Sequence, residues 1–123
     1  MHQNVFAVRG AITVEQNNVD SILNNTSELL KQLIANNDLN ENNIISAFFT
    51  VTSDLDACFP AKAARDLGWT NTALMCAQEI EVQNSLSKCV RVMIHYYSNA
   101  DHKPVPVYLN DAATLRPDLE KNN

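Results

Sequence analysis

Apolar residues change their spacing several times along the chain, and each change marks an element. Val5, Phe6, Ala7 and Val8 run uninterrupted up to Arg9 and Gly10, which predicts a short strand, buried on both faces, that delivers a charge at its end. From Asn18 the period becomes helical. Val19, Ile22, Leu23, Thr26, Leu29, Leu30, Leu33 and Ile34 share one face, and Asn24, Asn25, Glu28 and Lys31 take the other. Asn36-Asn37-Asp38 predicts the stop of this long helix, because Asn tolerates a left-handed cap. Ile44 to Thr52 (IISAFFTVT) is β-branched and aromatic, which predicts a buried strand. After the loop SDLDAC, FPAKAARDLGW at 59–69 reads as a short helix with Pro60 in its first turn and Gly68 at its stop. Thr72 to Gln78 and Cys89 to Tyr97 predict two further strands, joined by EIEVQNSLSK with room for one helical turn. Asn99 to Pro104 is a polar turn and Val105 to Leu109 a last strand.

This order predicts an α+β domain in which one long and one short helix cover one face of a mixed β-sheet. The other face needs a cover too, and self-association supplies one readily. With 123 residues, no internal repeat and no linker, the expectation is one domain over residues 1–123. Hydrophobic residues at 46%, charged residues at 19%, two Gly and four Pro are globular proportions. A net charge of −5 gives no general attraction to nucleic acid or to an anionic membrane. No apolar stretch approaches the ~20 residues that span a bilayer. Three cysteines, at 58, 76 and 89, cannot all pair within one chain, and MHQNVFAVRG lacks the apolar run of a secretory signal, so the expected compartment is the cytoplasm.

The most informative local oddity is Arg91 inside CVRVMIHYY. Alternation places it with Cys89, Met93, His95 and Tyr97, opposite Val90, Val92, Ile94 and Tyr96. A guanidinium in such a strand must meet an anion: either a protein carboxylate, Glu79 or Glu81, or a carboxylate of a ligand. Glu79 ends the run ALMCAQ, where it is either a solvated strand-end acid or an acceptor for a ligand hydroxyl. Arg9 could clamp a carboxylate in bidentate geometry where the missing side chain of Gly10 permits close approach. Cys76 has no Ser, His and Asp constellation around it and reads as packing rather than as a nucleophile. His2, His95 and His102 share no metal-ligand spacing with the cysteines, and no glycine-rich phosphate loop occurs, so neither a metal nor a nucleotide cofactor is expected. Tyr96, Tyr97 and Tyr108 read as core or interface aromatics with hydroxyls at the rim, and Lys62, Arg65 and Arg116 as surface charges unless they ring a pocket.

Together, VRGAITV at 8–14, FPAKAARDLGW at 59–69, ALMCAQEIEV at 73–82, SKCVRVM at 87–93, VYL at 107–109 and TLRPDL at 114–119 resemble the trimeric, pseudo-α/β-barrel class of chorismate mutase, in order and over essentially the whole chain. The resemblance implies a homotrimer with sites between subunits, chorismate as substrate, and its rearrangement to prephenate without cofactor or metal. It further implies that Arg9 grips the enolpyruvyl carboxylate, Arg91 reaches the ether oxygen and that carboxylate, and Tyr108 adds a hydrogen bond to it. Glu79, helped by the Cys76 backbone, would accept from the ring hydroxyl. Phe59, Ala61, Leu74 and Met75 would shape apolar walls, and Leu115 would contact substrate. Lys62, Arg65 and Arg116 would sit at the mouth and attract the ring carboxylate. Two departures from the family pattern stand out: Gln83-Asn84-Ser85 replaces a common Gly, which predicts a shifted loop with Asn in any left-handed position, and the tail after Leu119 is short and polar. Two rival readings are an imine-hydrolysing trimer of similar shape, whose glycine-rich and asparagine motifs are not evident here, and a non-catalytic sensor of an aromatic-pathway dicarboxylate.

Overall fold

In the computed structural model, which describes residues 3–115, the chain runs through β1 (Asn4–Thr13), α1 (Val19–Asn37), β2 (Ile44–Val51), α2 (Ala61–Asp66), β3 (Ala73–Gln78), β4 (Cys89–Ser98), β5 (Val107–Leu109) and a closing 3-10 helix (Asn110–Leu115). The strands form one mixed sheet in the order β3-β2-β4-β1-β5. β4 is antiparallel to both β1 and β2, while β5 runs parallel to β1 and β3 parallel to β2. Among the described residues no helix is long and apolar enough to cross a membrane.

The core lies on one face of this sheet. Asn18 caps α1 by accepting from the Ser21 N–H at 2.7 Å, and Asp38 ends it in the left-handed region at φ 54°, one residue past the two asparagines. Ile22, Leu29, Leu30 and Leu33 of α1 are fully buried against Val8, Ile12, Phe49, Val90, Ile94 and Tyr96 of the strands. Val19, grouped with that stripe by period, is exposed instead, because it sits in the first turn. α2 follows Pro60 and stops at Gly68, whose φ of +100° few L side chains adopt.

Several expectations need correction. β1 is ten residues long and not buried on both faces: Val5 is 57% exposed, and pairing with β4 from Asn4↔Ser98 to Thr13↔Cys89 carries the strand through its polar positions. β2 likewise has one open face, with Phe48 43% exposed. A β-bulge between Ile44 and Ser46 corrects the parity so that Ile44, Ala47 and Phe49 all reach the core. Residues 79–88 contain no helical turn, and Asn84 adopts φ 66°, the left-handed conformation expected of an Asn in this turn. Gly10 does not open space for a ligand. It is buried on the face opposite Arg9, where a Cβ would lie 2.9 Å from Leu33 Cδ1 and 3.1 Å from the Val107 carbonyl, so its missing side chain lets α1 approach the sheet.

β5 begins at Val107 rather than Val105 because Asn37 occupies the Val105 backbone. The Asn37 side chain accepts from the Val105 N–H at 2.7 Å and donates to the Val105 carbonyl at 2.9 Å and to the Leu33 carbonyl at 3.1 Å. This buried amide substitutes for a strand partner and ties the approach to β5 onto the end of α1. Asn37→Ala should therefore lower the free energy of unfolding by roughly 2–3 kcal/mol, since it strands two backbone groups. Asn36→Ala, at an exposed neighbour, should change it by less than about 0.5 kcal/mol. Urea denaturation of both variants checks this, and equal small losses would contradict it.

Candidate active site

Pairing sets Ala77 (β3), Thr50 (β2), Arg91 (β4), Ala11 (β1) and Tyr108 (β5) in one row across the sheet. The adjacent row holds Met75, Phe48, Met93 and Arg9. Arg9 and Arg91 are thus diagonal neighbours on the face that α1 does not cover. β4 alternates as its sequence requires, with Val90, Val92, Ile94 and Tyr96 buried and Met93 and Tyr97 exposed.

Glu79 lies just past β3. Its N–H donates to the Val51 carbonyl at 2.9 Å, which prolongs the pairing with β2 by one residue. Its carboxylate receives both ends of the Arg91 fork: Nε donates to Oε2 at 2.7 Å and Nη2 donates to Oε1. Thr50 Oγ1 also donates to Oε2, at 2.5 Å. Hydrogen bonding to Arg91, and secondarily to Thr50, holds the Glu79 carboxyl below its ordinary 4.5 against the opposing effect of burial. Arg91 is in turn held more firmly protonated by Glu79. The two partners differ in access: the Glu79 side chain is 13% exposed and Arg91 41%, so the cation keeps an open flank. Of the two anions that could meet Arg91, the protein's own Glu79 does so here, while Glu81 bonds Ser53.

An open cavity of about 610 Å³ borders this pair and is lined by Arg9, Phe48, Thr50, Glu79, Arg91 and Met93, among others. A second, of about 510 Å³, reaches the pair from the side of Cys89, Leu86 and Leu115. The structure thus brings Arg9, Glu79, Arg91 and Leu115 together. Tyr108 lies in the same row as Arg91, and its hydroxyl is buried with no hydrogen-bond partner among the described residues. Tyr96, by contrast, is fully buried, with its hydroxyl 2.6 Å from His102 Nε2 rather than at a rim.

The remaining site residues stand apart. Phe59, Ala61, Arg65, Leu74, Met75 and Cys76 line a separate cavity of about 310 Å³. Lys62 forms an exposed ion pair with Asp66, one helical turn on, at 3.1 Å. Burial raises the Cys76 thiol above its ordinary value, opposed by the Ala61 N–H and by Arg65, and burial pushes Cys89 up to about 11; both favour the neutral thiol expected of packing residues. Arg116 and His2 lie outside the described residues, as does the tail after Leu119. Sequence reasoning missed Thr50, Phe48 and Met93 as site-lining groups. The available signal was parity: Phe48 and Thr50 are two apart in β2, and Met93 and Arg91 two apart in β4.

The family model for chorismate mutase type I matches residues 5–119. The chain is 39% identical over 117 residues to the chorismate mutase AroH of Bacillus subtilis, covering 94% of this chain and 92% of that protein. It is 42% identical over 118 residues to AroH of Thermus thermophilus, covering 94% and 97%. A solved structure of a chorismate mutase from Clostridium thermocellum superposes with a TM-score of 0.84 at 53% identity, over 89% of this chain and 98% of that one. A family-model match over residues 5–119, together with relatives matched over nearly their full length, establishes that the chain belongs to the chorismate mutase type I family.

Proposed function

We propose that this protein acts as a single chorismate mutase domain over residues 1–123, an isomerase that rearranges chorismate to prephenate around Arg91, Glu79 and Arg9. The observation that carries this reading is the Glu79–Arg91 pair, presented beside Arg9 on an open sheet face. The reaction is a concerted Claisen rearrangement: one carbon–oxygen ether bond breaks as one carbon–carbon bond forms, with no proton transferred and no nucleophile consumed. It needs a compact substrate conformer and compensation for negative charge developing on the ether oxygen.

The residues divide that work. Arg9 clamps the enolpyruvyl carboxylate, and Arg91 turns its open flank to the ether oxygen and to that carboxylate. The Tyr108 hydroxyl, which has no partner among the described residues, gains an acceptor in the same carboxylate, which would satisfy a group otherwise costly to bury. Glu79 accepts from the ring hydroxyl, helped by the Cys76 backbone. Arg9, Arg91 and Glu79 sum to one positive charge against a substrate with two carboxylates. Lys62, Arg65 and Arg116 supply further cations at the mouth, and Leu115, Phe59, Ala61, Leu74 and Met75 provide apolar contact. Because these cations are already oriented, they respond to the developing charge without the reorganisation that water needs.

A site divided between two cavities supports assembly. In the proposed homotrimer the sheets pack around a central axis as a pseudo-α/β-barrel, and the Phe59–Cys76 wall of one subunit closes the Arg9–Glu79–Arg91 half of the next. The open face is apolar enough for this, with Phe48, Met75 and Met93 43%, 64% and 39% exposed. An odd number of cysteines supports a cytoplasmic location.

Incubation with chorismate should consume its ultraviolet absorbance with stoichiometric prephenate; tight binding without turnover would instead indicate a sensor. Light scattering should report three chains. The shared site has its own test: Arg91→Ala and Phe59→Asp should each abolish activity, yet co-refolding them in equal amounts should restore about one quarter of the wild-type rate, as random assortment of shared sites in a cyclic trimer requires. No recovery from two folded variants would place the whole site within one subunit.

A further inference from the structure

Glu79 is held from two directions, and only one of them is Arg91. Its backbone is tied to Val51, and its side chain receives the hydroxyl of Thr50, the adjacent residue of β2. Thr50 sits between β3 and β4 in the sheet, with Ala77 and Arg91 as its pairing partners, and it borders the same cavity as Arg9 and Arg91. Its β-branched side chain has few accessible rotamers, so the hydroxyl direction is set largely by the strand.

That second anchor matters because of what the reaction asks of Arg91. If Arg91 redirects Nη2 from Glu79 Oε1 to a substrate oxygen, its Nε still holds Oε2 but moves with the guanidinium, so a carboxylate held by Arg91 alone would follow it. Thr50 holds Oε2 independently, which leaves Oε1 as the oxygen released toward the substrate hydroxyl. We propose that Thr50 is a positioning residue that fixes the Glu79 carboxylate while Arg91 engages the substrate; this rests on the chorismate mutase reading above. Its hydroxyl also donates to the ionised carboxylate and not to the acid's proton, so it favours the charged form that accepts best. Among the described residues, the other titratable groups around Glu79 are Arg91 and Cys89 on β4, Arg9 on β1, Tyr108 on β5, Asp54 in the loop after β2, and Glu81 on its own segment. Substitution at Thr50 leaves all of them in place.

The test compares Thr50→Val, which keeps the shape and removes the hydroxyl, with Thr50→Ser, which keeps the hydroxyl. Thr50→Val should lower kcat about tenfold, with KM changed less than about threefold, because the lost hydrogen bond acts on a group that strengthens its contact in the transition state. The sign of the pH effect follows from the donor role: without the hydroxyl the Glu79 carboxyl rises toward 4.5, so the acid limb of kcat/KM moves to higher pH. Thr50→Ser should restore most of kcat and return the limb. Wild-type kcat and an unmoved limb in a folded Thr50→Val would overturn the inference, and so would equal loss in Val and Ser variants with a lowered Tm, which marks a packing role. Carboxyl carbon NMR of Glu79 in the unliganded protein separates this from the assigned function. An upward shift of its titration in Thr50→Val, reversed in Thr50→Ser, supports the positioning role even if wild-type turnover fails; an unshifted titration overturns it.

Discussion

A guanidinium on the central strand of a sheet has to meet an anion, and the way Arg91 meets Glu79 organises one whole side of this molecule. Desolvating either group alone would be costly, and a bidentate pair with a third donor from Thr50 satisfies the carboxylate while leaving the cation partly open. The pair is therefore stable at rest and incomplete in its coordination. Its stabilising contribution is fully present above pH 4.5, the ordinary value of the glutamate, and is lost as pH falls through the lower folded value, so it persists throughout the neutral range.

The rest of the fold keeps that pair on an open face. α1 takes the opposite face, and Gly10 admits it closely enough for Leu29 and Leu33 to seal the core. Asn37 anchors the segment leading to β5, which sets Tyr108 in the row of Arg91. Asp54 accepts from the Lys88 N–H at 2.9 Å, where the backbone enters β4 with φ 48° at Lys88. Stability is thus concentrated on one layer. The exposed Phe48, Met75 and Met93 leave the other to be covered by further copies of the chain, as the proposed trimer requires.

What was legible in the sequence followed from periodicity and turn chemistry. The 3.6-residue stripe gave α1, Pro60 and Gly68 bracketed α2, and alternation assigned the two faces of β4, Arg91 included. Misreadings arose where a run of apolar residues hides which face is covered: β1 looked buried on both faces and β2 looked like a buried strand because Val5 and Phe48 are apolar yet open. Residues set by long-range contacts were out of reach. The Asn37 side chain reaches 68 residues along the chain to Val105, and Thr50 acquires its role only once β2, β3 and β4 lie side by side. Gly10 was misassigned for the same reason, since its crowding comes from α1. The resemblance carried by FPAKAARDLGW, SKCVRVM and the neighbouring motifs gathered residues that local patterns leave scattered. Within one chain, Arg9, Glu79 and Arg91 line one cavity and Phe59, Ala61, Arg65, Leu74, Met75 and Cys76 another.

The central claim is that the positive charge of Arg91 acts on the ether oxygen in the transition state, and replacing Arg91 by citrulline isolates that charge. The ureido group keeps the length and planarity of the guanidinium. Loss of one preorganised electrostatic group costs on the order of 10²–10³ in turnover, so kcat should fall at least that far while KM changes little and the protein stays folded. A rise in KM with kcat preserved would reduce Arg91 to a carboxylate anchor, and unfolding of the variant would reduce it to half of a structural ion pair.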